Sequence, residues 1–140
     1  MIKVIFNKNV ANGWYIVEAM EIIEYNEDIN KLDIYFRIES KYKSEKEFKG
    51  KNSVNFVLTH YKKDEQQLSN LLECLGVWRI INIYHPEPNA SLFDPQVIRH
   101  IKVKTPGMFC MVRITHDDEW FCRIDAISRV DESGKLYDKY

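Results

Sequence analysis

The stretch "LDIYFRIE" (32–39) alternates without fault, with Leu32, Ile34, Phe36 and Ile38 on one side and Asp33, Tyr35, Arg37 and Glu39 on the other. A period of two is what a strand with one buried face requires. An aromatic, β-rich segment, "GWYIVEAMEIIEY" (13–25), precedes it, with "NEDINK" (26–31) supplying turn chemistry between the two. A third strand is predicted at 54–60, where Val54, Phe56 and Leu58 share a face. The period then lengthens. Leu68, Leu71, Leu72 and Leu75 fall on one helical stripe, with Asp64 at the N-cap, Gln67 in the capping-box position and Gly76 as the stop. "HPEPNASLFDPQ" (85–96) is punctuated by prolines and reads as a loop pinned by Leu92 and Phe93. "GMFCMVRIT" (107–115) and "WFCRIDAIS" (120–128) flank "HDDE" as a closing hairpin.

Three strands, one helix and a final strand pair give a mainly β fold: an OB-fold-like five-stranded barrel with one α-helix between strands three and four. Residues 1–130 are read as a single domain and 131–140 as a flexible tail. At 140 residues the chain suits one core, and its 45% hydrophobic and 29% charged residues are ordinary for a globular domain. The net charge of −1 excludes a partner chosen by overall charge, so any electrostatic surface is local. The N-terminal apolar run is too short for a signal peptide and nothing approaches a membrane span, so a cytoplasmic protein is expected. Cys74, Cys110 and Cys122 form no CxxC pair and are expected to be reduced thiols.

Together, "GWYIVEAMEIIEY", "LDIYFRIE", "FKGK", "NFVLT" and "QQLSNLLECLGV" resemble a family of small phage domains of unknown function that is similar to phage single-stranded-DNA-binding proteins. The resemblance rests on Gly13, Trp14 and Tyr15 at the first strand, Phe36 and Ile38 ending the second, Phe48 to Lys51 at a turn, and the leucine helix closed by Gly76. It covers residues 13–78. The last third matches only in shape, with "IKVKTPG" as a basic lead-in to the hairpin, and "YDKY" departs from the acidic tail by which many such proteins recruit partners. The resemblance implies a protein of the bacterial host's cytoplasm, acting in DNA replication or recombination beside a phage recombinase or replication proteins.

Single-stranded DNA offers phosphates and unstacked bases, so a binder needs cations along a groove and exposed rings as platforms. Tyr35 and Arg37 are two residues apart on the polar side of one strand. Residues 41–63 hold seven lysines against two acids, Glu45 and Glu47, a local surplus of five positive charges. The candidate nucleic-acid-binding residues are therefore Tyr35, Arg37, Lys41, Tyr42, Lys43, Phe48, Lys49, Lys51, His60, Tyr61, Lys62, Arg113 and Arg123. Each has a plainer reading: a Lys/Glu-rich loop is often just solvated, and tyrosine suits strands whatever its role. Trp14, Trp78 and Trp120 read first as packing residues.

Neither a metal centre nor catalysis is expected. No Cys or His lies at ligand spacing from another on a shared face, and no glycine-rich phosphate cradle is present. Asp117 and Asp118 sit in a predicted turn, where carboxylates are ordinary. The chain is read as a non-enzyme without cofactor. Two functions survive: a sequence-tolerant single-stranded-DNA-binding protein, or a phage-encoded module that inhibits or adapts a host protein without touching nucleic acid. The lysine and aromatic content of 35–63 favours the first; the small net charge and the long aromatic loop 79–96, which with the exposed helix would form the binding surface, favour the second. Dimerisation through sheet edges would lengthen a groove in either case.

Overall fold

The computed structural model describes residues 2–4, 12–25, 28–41, 54–84, 91–116 and 122–130. Six strands are present: β1 (Ile2–Val4), β2 (Gly13–Tyr25), β3 (Asp28–Lys41), β4 (Val54–Tyr61), β5 (Phe109–His116) and β6 (Cys122–Ser128). Between β4 and β5 lie a 3-10 turn (Lys62–Asp64) and three helices, α1 (Glu65–Cys74), α2 (Trp78–Tyr84) and α3 (Pro95–Lys104). All strands pair antiparallel in the order β1-β6-β5-β2-β3-β4. With β1 set aside, this is the strand order of the OB-fold plan, with the helical insertion in its expected place. The sheet curls so far that its two outermost strands, β1 and β4, come into contact.

The apolar phases point inward as the alternation predicts. Tyr15, Val17 and Ala19 from β2, Leu32, Ile34, Phe36 and Ile38 from β3, Phe56 and Leu58 from β4, and Cys110, Val112 and Ile114 from β5 are all buried in one core. Phe36 and Phe56 are cross-strand partners whose rings stack at 5.3 Å with 13° between planes. A 13-residue strand such as β2 must bend to follow a barrel, and register irregularities at Ile16/Val17, Ala19/Glu21 and Glu24/Tyr25 supply that bending.

The helix stripe packs onto this core through Leu68, Leu71, Leu72 and Leu75. Its C-terminus is a Schellman closure: the Gly76 amide donates to Glu73, the Val77 amide donates to Leu72, and Gly76 takes a φ of +81°. Its N-terminus differs from the expected capping box. Asp64 makes no side-chain cap bond, because the 3-10 turn carries the chain into the helix instead.

The proline-rich loop ends sooner than its composition suggests. Residues 95–96 fall in the expected loop and 101–104 in the expected lead-in to the hairpin, yet 95–104 form helix α3, with Asp94 at the N-cap, Pro95 in the first turn and Val97, Ile98 and Ile101 buried. Leu92 and Phe93 do pin the preceding turn into the core. Glu65 at the start of α1 holds that turn, accepting hydrogen bonds from the Ser91 hydroxyl and from the Leu92 amide (3.4 Å). Among the described residues no helix is long and apolar enough to cross a membrane.

Candidate nucleic-acid interface

The outer face of β3 and β4 is laid out in rungs. Arg37 pairs with Asn55, Tyr35 with Val57, Asp33 with Thr59, and Lys31 with Tyr61. Tyr35 is exposed, as expected, on the side opposite the core. Tyr61 shares this outer phase and is 44% exposed. The Tyr35 and Tyr61 rungs are four β3 residues apart, about 13 Å along the strand.

Around Tyr61 the basic groups collect. Lys63 places its Nζ 5.5 Å from the centre of the Tyr61 ring, and Tyr61, Lys62, Lys63 and Asn30 line a cavity of about 480 Å³. Neither Lys62 nor Lys63 forms an ion pair with a described carboxylate. Lys31 stands in the adjoining β3 position. Of this corner, the alternation and charge count single out Tyr61 and Lys62. Asn30 and Lys31 join it only because β3 begins at Asp28, inside the segment read as a turn.

Arg37 is also on the outer face, but it is not an uncommitted cation. Its Nε donates to Glu39 at 2.9 Å and its Nη2 to Glu18 at 3.0 Å, Glu18 being its direct partner on β2. Two carboxylates thus outnumber one guanidinium. The Glu18 carboxyl is held above the usual carboxylate range, first by burial and then by Glu39, against the pull of Arg37. Arg113 is occupied likewise: it forms a two-pronged pair with Asp125 at 2.8 and 3.2 Å and lies 5.7 Å from the centre of the Trp14 ring. Trp14, read as a packing residue, is half-buried and packs on the outer face in the rung Trp14–Arg113. That rung lies four β2 residues from Glu18, so Arg113 is separated from the Tyr35–Tyr61 region. Arg123 pairs with Lys3 and Thr115 on the β1–β6–β5 side of the sheet, outside the β3–β4 pair that carries Tyr35 and Tyr61.

His60 is the clear correction among the candidates. It takes the inner phase opposite Leu32 and is fully buried, with neither ring nitrogen hydrogen-bonded. Burial lowers its pKa to about 4, against weaker upward pulls from Asp33 and Asp64, so the ring is neutral at neutral pH and lies in the core rather than on the outer face. Lys41 closes β3 with its backbone paired to Tyr15. Tyr42, Lys43, Phe48, Lys49 and Lys51 lie outside the described residues, as do Trp120, most of the "HDDE" turn and the tail 131–140.

The remaining outer-face groups define what the surface can do. Asp33 is nearly buried and accepts a 2.6 Å hydrogen bond from the Thr59 hydroxyl, which fixes the rung between the two tyrosines. Met20, at the β2 irregularity, and Phe109, opposite Glu18, are exposed apolar groups beside the Arg37 cluster. The thiols of Cys74 and Cys110 are free, and burial pushes both above the ordinary range. Among the described residues no three His, Cys, Asp or Glu side chains converge as a metal site. Comparison with protein-family models, curated proteins and solved structures gives no match.

Proposed function

We propose that this chain binds single-stranded DNA without strong sequence preference, across the outer face of β3 and β4, in phage replication or recombination. The observation that carries the reading is the placement of two exposed tyrosines, Tyr35 and Tyr61, on one strand-pair face, the second set among Lys62 and Lys63. Rings in such positions accept bases by stacking, which is indifferent to base identity, and ammonium groups beside them meet the phosphates. The backbone path runs along the Tyr61 corner rather than over Arg37, whose charge is already met by Glu18 and Glu39. A phage recombinase or replication protein is the partner this role calls for.

Labelled oligo-dT titrated at increasing salt tests the reading. Binding is expected at low salt, with log K falling against log salt by about 0.7 for each phosphate contacted. Absence of binding at low salt refutes it. The carboxylates around Arg37, with Met20 and Phe109 exposed nearby, favour the second reading in that event: a docking face for a host protein, without nucleic acid.

A further inference from the structure

The geometry points to a second ligand site, for a nucleoside monophosphate, at the opposite end of α1 from the Tyr61 corner. There a cavity of about 440 Å³ is lined by Glu73, Gly76, Trp78, Arg79 and Arg129. The ten residues of α1 separate the two places by about 15 Å. The cavity falls within the range of roughly 300–1,000 Å³ typical of small-molecule sites.

Each group lining it supplies one part of a nucleotide's recognition. Trp78 is half-buried and packs against the core, so its indole is a fixed wall on which a base can stack. Arg79 and Arg129 both line this space, Arg129 while already engaged in another interaction, and the planar fork of a guanidinium suits phosphate oxygens. Arg79 is exposed, and among the described residues it forms no ion pair. Glu73 accepts hydrogen bonds only, and so selects a hydroxyl or an exocyclic amine at the other end of the ligand. A bare phosphate leaves Trp78 and Glu73 unused; a bare nucleoside leaves the arginines unused. Gly76, at the positive φ of the helix closure, is the remaining residue that lines the cavity.

Calorimetric titration of the whole chain with adenosine monophosphate, adenosine and inorganic phosphate tests the site. The monophosphate is expected to bind at least about tenfold more tightly than either half alone. Arg79→Gln, a change at an exposed position, is expected to weaken it about tenfold, while Lys62→Glu with Lys63→Glu leaves it unchanged. No monophosphate binding by the folded wild-type chain overturns the inference. So does binding that survives Arg79→Gln but is lost with the lysine changes, which would put the nucleotide on the sheet face. Oligo-dT affinity, read in parallel, answers the separate question of the Tyr35–Tyr61 face.

Discussion

The two faces of the β3–β4 pair are built from neighbouring residues and obey different rules. Inside, Phe36 stacks on Phe56, and His60 is buried without a partner because position in the alternation leaves it nowhere else to point. Outside, Tyr35 and Tyr61 differ from Arg37 not in exposure but in company. Arg37 is bracketed by Glu18 and Glu39, whereas Tyr61 stands among lysines. On the inner face the period of two decides a residue's role. On the outer face the cross-strand partner decides it, and a cation counts toward phosphate binding only where no carboxylate has already claimed it.

The largest effect is expected on the inner face. Phe36→Ala removes one ring of the stacked pair and should cost about 3–5 kcal/mol in denaturant unfolding. A loss under about 1 kcal/mol would mean the core is looser than the packing implies. The buried histidine gives the next largest effect, visible in pH. An unfolded His60 takes its proton near pH 6.5 and the folded one only near 4. Stability should therefore fall as the pH drops through that window, by about 3 kcal/mol in all. His60→Phe should abolish this part of the acid dependence; an unchanged profile would show that His60 protonates freely in the folded state.

Outer-face changes should spare stability and alter binding. Tyr35→Ala and Tyr61→Ala should each weaken oligo-dT by about 1–3 kcal/mol with the melting temperature little changed. Lys62→Glu with Lys63→Glu should weaken all sequences alike and flatten the salt slope by about 1.4 if each lysine meets one phosphate. Arg37→Gln should have the smallest effect on affinity, less than about twofold, since the charge removed is already neutralised. A tenfold loss there would show that the guanidinium leaves its carboxylates to meet the strand.

Much of this fold is legible in the chain because alternation and the leucine stripe are local signals. The strand at 13–25, the third strand, the helix and both hairpin arms lie where the pattern puts them, and Gly76 ends α1 by the expected glycine geometry. Helix α3 is hidden by two prolines and a run of polar residues. Its signal, Asp94 then Pro95 and a buried Val97, Ile98 and Ile101, is present but occupies only one short stripe. The short β1 gives no pattern at all, since three residues cannot display a period. The site is less legible than the fold. Glu39 is visibly on Arg37's side of the strand, but Glu18 reaches Arg37 only through the β2–β3 register, which no local pattern encodes. His60 stood in a basic stretch that suggested an exposed role, although its phase with Phe56 and Leu58 already pointed inward.

An amide-resolved NMR titration with oligo-dT tests the central claim most directly. Perturbations should concentrate on residues 33–37 and 57–63 and leave Arg113, Asp125 and the buried positions of β5 unmoved. Shifts confined to the Arg113 side of the sheet, or none at low salt, would contradict the assignment of the β3–β4 outer face to single-stranded DNA.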